Sequence, residues 1–118
     1  MRLHRHITAL VCAVLLAAAC GGPPLVLRTA PSPQPGAVQA CMDALASGVL
    51  ARHPVTGFGI GEAGGPVMPV TWPPGWSAGY RDGAAALFDE AGVLIATEGG
   101  PISIGGGMID GGTWLACG

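Results

Sequence analysis

Beyond residue 40 the apolar segments of this chain are short, and turn-forming residues separate them at intervals of roughly ten residues. The best helical spacing, which includes Val38, Met42 and Leu45, stops at Gly48 after about two turns, too few for a stable helix. Short strands joined by hairpins are typical of small all-β barrels and sandwiches. The sequence therefore predicts one small all-β domain over residues 40–118.

Turn sequences rich in glycine mark the predicted hairpins. Asp82-Gly83 is the strongest, because this pair favours the tight turn of a two-residue hairpin. The predicted strands are Ser47–His53, Phe58–Gly61, Val67–Trp72, Ser77–Arg81, Ala84–Phe88, Val93–Thr97, Ile102–Ile104 and Thr113–Cys117. Hairpins in series close readily into a barrel, because closure removes exposed strand edges. We expect five or six of these strands to form a small OB-like barrel with the topology of an antiparallel meander.

The predicted core is thin for a domain of this length, and a domain so small is only marginally stable without a covalent staple. It consists of Leu45, Val49, Ile60, Val70, Trp72, Leu87, Val93, Ile95, Ile102, Ile104, Trp114 and Leu115.

Composition excludes several classes of protein. Glycine and proline account for 32 of the 118 residues, only 10% are charged, and the net charge is −2. A charged coiled coil and a polar disordered chain are both inconsistent with these values. Every basic residue is arginine, and there are only five, so a cationic surface for nucleic acid is not expected.

Residues 1–19 have the pattern of a secretory signal peptide. Arg2 and Arg5 precede an apolar run of 13 residues that ends at Ala19. This run is shorter than the ~20 residues that a membrane-spanning helix needs.

The segment Leu16-Ala17-Ala18-Ala19-Cys20-Gly21-Gly22 resembles the lipobox of bacterial lipoproteins, with Ala17 where leucine is commoner. The resemblance implies cleavage before Cys20, a diacylglyceryl group on its sulfur and a fatty acid such as palmitate on its amine. It further implies an exported protein held by lipid on the outer face of the cytoplasmic membrane or on the cell surface. The alternative is an ordinary signal peptide with an incidental Cys20.

Residues 20–39 contain five prolines, a density that favours polyproline II over helix or central strand. At ~3.1 Å per residue, such a tether extends up to about 60 Å from the lipid. In the alternative arrangement, Leu25-Val26-Leu27 forms an edge strand against the domain.

Two cysteines remain, because Cys12 lies in the predicted signal peptide and Cys20 is the predicted site of lipidation. In an exported protein, such a pair predicts a disulfide, here between Cys41 and Cys117. The alternative, a reactive thiol, needs a basic neighbour, and neither cysteine has one in sequence.

The segment Trp72-Pro73-Pro74-Gly75-Trp76, with Tyr80 close by, holds three of the six aromatic residues. A rigid proline turn that exposes an indole would form a ligand surface for a glycan or a proline-containing peptide, so Trp72, Trp76 and Tyr80 are the candidate site. The alternative is that Trp72 belongs to the core and Trp76 covers a barrel end.

His53 is the only histidine beyond residue 19, and alone it does not make a metal site of the usual spacing. Residues 59–64 match G-x-G-x-x-G, but Gly65-Pro66 and a strand-like run follow instead of the helix that a dinucleotide site requires. We therefore predict a hairpin there, with no catalytic residue, metal or cofactor.

Residues 48–54, 72–78, 87–93 and 104–107 resemble segments of small exported β-domains of actinobacteria, a likeness that implies no activity. We predict a membrane-anchored, non-enzymatic binding or envelope-associated module, with a cell-envelope glycan or protein as its partner. The alternative is a lipoprotein that binds a small ligand or metal at the Trp72–Trp76 and His53 region.

Overall fold

The computed structural model describes residues 25–36 and 41–118, so the predicted signal peptide and Cys20 lie outside the described residues. The all-β prediction is confirmed. The eight strands are β1 (Ala44–His53), β2 (Gly57–Gly61), β3 (Val67–Thr71), β4 (Ser77–Arg81), β5 (Ala84–Phe88), β6 (Leu94–Thr97), β7 (Pro101–Ile109) and β8 (Thr113–Ala116). A 3-10 turn, Asp110–Gly112, joins β7 to β8.

Five of these strands form a closed barrel in the order β1-β2-β3-β8-β7. β1 is central to the closure, because it pairs antiparallel with β2 along its second half and with β7 along its first half. β3 and β8 pair in parallel, through Val70 with Trp114 and Thr71 with Leu115. This parallel pair distinguishes the barrel from a simple meander, in which all neighbours would be antiparallel.

The remaining strands, β4-β5-β6, form a separate three-stranded antiparallel sheet. The Asp82-Gly83 turn connects β4 to β5, and both of its residues have positive φ, 52° and 79°. Two positive φ angles in succession are what a type I′ hairpin requires. The predicted hairpins are therefore present, but they are divided between a barrel and a second sheet.

The core combines a few large aromatic side chains with several alanines. Trp72, Phe58 and Leu50 are fully buried, and Trp114 is 6% exposed. The alanines of the core are Ala46, Ala85, Ala86, Ala96 and Ala116. Small barrels alternate large and small interior residues, because a large ring leaves little room beside it.

Five residues of the predicted core are not buried. Leu45, Val93 and Ile95 are 69%, 57% and 37% exposed, and Val49 and Leu115 are half-buried. Because successive residues of a strand face opposite sides, an inward Ala46, Ala96 or Ala116 places its larger neighbour outward. At Leu45, Ile95 and Leu115 the sequence thus favours the larger residue of each pair, whereas the crowded interior accepts the smaller alanine. Val49 instead lies beside the buried Leu50, and Val93 lies in the turn before β6.

The chain from Leu25 to Ala30 lies against the barrel. The Arg28 amide donates to the Thr56 carbonyl at 3.1 Å, and the Trp72 amide donates to the Arg28 carbonyl at 3.0 Å. Thr29 and Trp72 form a parallel bridge, and Leu25 and Leu27 pack on the core. Residues 25–30 are therefore not a free tether, but Leu25-Val26-Leu27 do not form the edge strand of the alternative, because the only bridge in this described segment is at Thr29.

Cys41 and Cys117 form the predicted disulfide, with their Cα atoms 5.9 Å apart. Cys41 lies just before β1 and Cys117 just after β8. The bond thus joins the two ends of residues 41–118.

Candidate functional site

The two tryptophans of the predicted ligand surface are buried, at 0% for Trp72 and 9% for Trp76. The Trp72 indole N–H donates to the Phe58 carbonyl at 3.0 Å, and that of Trp76 donates to the Glu90 carboxylate at 2.8 Å. Both polar groups of the indoles are therefore satisfied inside the protein. The structure agrees with the alternative in which these residues belong to the core, because neither ring is available for stacking on a ligand.

Tyr80 lies on β4 and is 41% exposed. Its hydroxyl oxygen accepts a hydrogen bond from the Arg52 guanidinium, which also donates to Glu98 at 2.9 Å. Tyr80 is thus exposed beside an ion pair, whereas both indoles are buried. The three aromatic residues do not form one surface.

His53 ends β1 and holds the turn into β2. Its Nδ1 accepts hydrogen bonds from the amides of Val55 and Thr56, at 3.1 and 3.3 Å. Within residues 25–36 and 41–118, no group of three or more His, Cys, Asp or Glu side chains is placed to hold a metal ion. The geometry gives His53 a turn-capping role and does not favour the alternative of a metal or small-ligand site.

The G-x-G-x-x-G match at residues 59–64 falls in β2 and the turn after it. β2 pairs antiparallel with β3, and the Gly65 amide donates to the Glu62 carbonyl at 2.9 Å. The hairpin predicted for these residues is confirmed.

The disulfide lines a cavity of about 360 Å³ together with Pro33, Pro73 and Pro74. The Trp-Pro-Pro-Gly-Trp segment therefore presents its prolines, not its indoles, to this space. The cavity lies where the described N-terminal segment, the β3–β4 turn and the chain end at Gly118 come together.

Two exposed apolar side chains of the barrel, Leu45 and Met108, line another groove, which is not evident from the sequence. We call it the methionine groove; it has a volume of about 580 Å³, and its lining includes Leu45, Ser47, Ile60, Val67, Met68 and Met108. Leu45 and Met108 are 69% and 52% exposed, and nearby Met42 and Ile109 are 42% and 40% exposed.

The wall formed by β3 is only partly paired. β3 pairs with β2 through Val67, Met68 and Pro69, but its pairing with β8 is limited to Val70 and Thr71. The first half of β3 thus has one partner strand among the described residues. An incomplete strand edge beside apolar side chains is a feature that an extended peptide can bind.

The groove offers little reactive chemistry. Its lining contains one carboxylate, Glu62, and one hydroxyl, Ser47, whose Oγ lies 2.7 Å from the Oγ of Ser103. Methionine is flexible and polarisable, and it is common on surfaces that adapt to apolar partners. The arrangement is suited to binding an apolar segment.

Sequence could not reveal this groove, because the burial of Leu45 depends on which face of β1 turns inward. The cluster Met42, Leu45, Met108 and Ile109 is apolar in sequence, and such residues are usually assigned to the core. The antiparallel pairing of β1 with β7, which includes Ala44 with Gly106 and Leu45 with Gly105, brings the start of β1 to the second half of β7.

None of residues 25–36 and 41–118 belongs to a helix with the length and apolar character needed to cross a membrane. Comparisons of the chain with protein-family models, with curated proteins and with solved structures found no match.

Proposed function

We propose that this protein is an exported lipoprotein, anchored through Cys20 to the outer face of the cytoplasmic membrane or the cell surface, whose barrel is a non-enzymatic binding module. The lipid anchor is supported by the lipobox-like sequence before Cys20. The disulfide between Cys41 and Cys117 is consistent with an oxidising compartment outside the cytoplasm.

The binding site of this module is the methionine groove, and its partner is an extended apolar segment of an envelope protein. The single observation that carries this proposal is the exposure of Leu45 and Met108 beside the half-paired β3. Main-chain groups of the incomplete edge would bind the peptide backbone, and the apolar side chains would take alternate side chains of the partner.

A protein partner is favoured over a glycan. Sugars are usually bound by exposed aromatic faces, and the indoles of Trp72 and Trp76 are buried. The groove offers apolar surface and few hydrogen-bonding side chains, which suits an apolar polypeptide better than a hydroxyl-rich ligand.

Photo-crosslinking in intact membranes tests the proposed function. A benzoylphenylalanine at position 108 is expected to give a discrete polypeptide adduct, because its side chain stands in the groove. Position 93 is the matched control, since Val93 is exposed to a similar degree, 57% against 52% for Met108, and does not line the groove. Adducts of equal yield at both positions would contradict the proposal.

Two further measurements separate the parts of the proposal. Leu45→Asp is expected to abolish the adduct at position 108 without unfolding the barrel, because Leu45 is 69% exposed. Mass spectrometry of the membrane-extracted protein is expected to find a lipid-modified Cys20 as the first residue, and Cys20→Ala is expected to release the protein from the membrane.

A further inference from the structure

Residues 25–30, which lie against the barrel, determine where the chain that follows Cys20 reaches it. Leu25, Val26, His53, Pro54 and Val55 line one groove of about 640 Å³ at the β1–β2 turn. The carbonyl of Val26 occupies the space where a side chain of Gly57 would stand. The chain therefore joins the barrel at this turn, which we call the β1–β2 end.

Only a short length of chain separates this end from Cys20. Leu25 is five residues after Cys20. Five residues span at most about 18 Å even when fully extended. This limit replaces the 60 Å tether, because Leu25 and Leu27 pack on the core and Arg28 and Ala30 are hydrogen-bonded to the barrel.

The β1–β2 end carries two exposed valines. Val26 and Val55 are 77% and 64% exposed, so both present apolar surface to the outside. Apolar side chains of peripheral proteins enter the boundary between lipid headgroups and acyl chains, to a depth of about 5–10 Å.

The charge of the β1–β2 end also suits a lipid surface. The lining of its groove includes Arg52 and His53 and no carboxylate, and the Arg28 backbone is bonded to Thr56 in the same turn. The carboxylate beside Arg52 is that of Glu98, which is paired with it. By contrast, residues 25–36 and 41–118 as a whole carry three arginines and seven acids. An acidic domain thus offers a non-acidic end to anionic headgroups.

We propose that the lipid on Cys20 holds the β1–β2 end directly against the outer leaflet, with Val26 and Val55 in the headgroup region. This inference rests on the proposed lipidation of Cys20. β1 runs from the methionine groove at Leu45 to His53, eight residues or about 26 Å away at ~3.3 Å per residue. The bound orientation therefore directs the methionine groove away from the membrane.

Spin labels on the full lipidated protein test this orientation. Val26→Cys and Val55→Cys provide the labelled positions, and Val93→Cys is the control, because Val93 is a valine of similar exposure in the β5–β6 turn. Cys41 and Cys117 are joined, and a lipidated Cys20 does not react, so the introduced thiol is the one labelled. Each protein is reconstituted in vesicles of phosphatidylglycerol and phosphatidylethanolamine.

At each position, the measured quantity is the ratio of label collisions with oxygen to label collisions with an aqueous nickel chelate. This ratio is expected to be severalfold higher at positions 26 and 55 than at position 93. With the lipid on Cys20 confirmed by mass in the same sample, equal ratios at the three positions would overturn the orientation and leave the lipidation intact. A protein without the lipid would overturn the proposed anchor, and the orientation with it.

Discussion

The indole rings of Trp72 and Trp76 are stacked, with centroids 6.0 Å apart and planes 18° apart. Trp72 follows β3 of the barrel, and Trp76 precedes β4 of the second sheet. The Glu90 carboxylate, in the turn between β5 and β6, accepts the Trp76 indole N–H. The stack therefore connects the barrel to the three-stranded sheet.

Trp76→Ala is expected to destabilise the protein by about 3–5 kcal/mol, because it removes a buried ring and leaves a cavity beside Trp72. Urea unfolding at equilibrium measures this difference. Val93→Ala, at a site 57% exposed, is the control and should change stability by less than about 0.5 kcal/mol. A small effect of Trp76→Ala, similar to the control, would instead agree with a ligand-binding surface residue.

Local signals in the sequence predicted the strands well. The bounds of β4 and β5 agree with the sequence, because Asp82-Gly83 fixes the register of their hairpin from both sides. The sequence predicts a strand of three residues at Ile102–Ile104, because the glycines that follow Ile104 are unfavourable within a strand, whereas β7 has nine residues. In the barrel those glycines continue the strand, and Gly107 lies against the side chain of Met42.

Non-local features could not be predicted in the same way. The parallel pair of Val70 with Trp114 joins residues 44 positions apart, and no short-range pattern reports it. The Trp-Pro-Pro-Gly-Trp segment forms a turn, in which the Trp76 amide donates to the Pro73 carbonyl at 3.3 Å, but its composition does not decide whether the indoles point inward. The methionine groove depends on both the closure of the barrel and the inward face of β1, so it cannot be predicted from the sequence alone.

The disulfide is expected to be the largest single covalent contribution to stability. It joins residues 76 positions apart, for which the chain-entropy model gives up to about 4.5 kcal/mol. The double variant Cys41→Ser with Cys117→Ser should lose most of this free energy of unfolding in urea. Wild type with its disulfide reduced should match the double variant, and an unchanged unfolding midpoint in both would contradict the prediction.

The Arg52–Glu98 ion pair is expected to contribute little to the free energy of unfolding. Each side chain is 42% exposed, so Glu98→Gln should cost less than about 1 kcal/mol and less still in concentrated salt. The hydrogen bond to Glu98 raises the pKa of Arg52 above its usual value, burial opposes this, and Tyr80 adds to it.

The pH dependence of this pair follows from the sign of that shift. A group whose pKa is raised by folding adds to the free energy of unfolding. This contribution is complete at pH values below the group's pKa in the unfolded state, and it is lost only as the pH rises through its pKa in the folded state. For arginine both values lie in strongly alkaline solution. The difference in free energy of unfolding between wild type and Glu98→Gln should therefore not change through Arg52 titration between about pH 7 and pH 10. Loss of this difference within that range would contradict the assignment of the pair to Arg52 and Glu98.

Gly57→Ala is expected to detach the N-terminal segment from the barrel. Gly57 has a φ of +80°, and an added Cβ would collide with the Val26 carbonyl. Gly64→Ala is the matched control, because Gly64 has a φ of +74° and its added Cβ would meet nothing within 4 Å. Both variants should lose about 1–2 kcal/mol of free energy of unfolding, because each places a Cβ on a residue with left-handed backbone conformation.

Hydrogen exchange distinguishes the two effects. The amides of Arg28 and Ala30 donate to Thr56 and Trp72, so they are protected while the segment is docked. Only Gly57→Ala should abolish this protection, whereas Gly64→Ala should retain it despite a similar strain. Equal protection in both variants would show that Gly57 does not hold the segment. In the lipidated protein, detachment lengthens the free chain after Cys20, so Gly57→Ala should also reduce the oxygen accessibility of a label at position 55, because the barrel is then no longer held against the membrane.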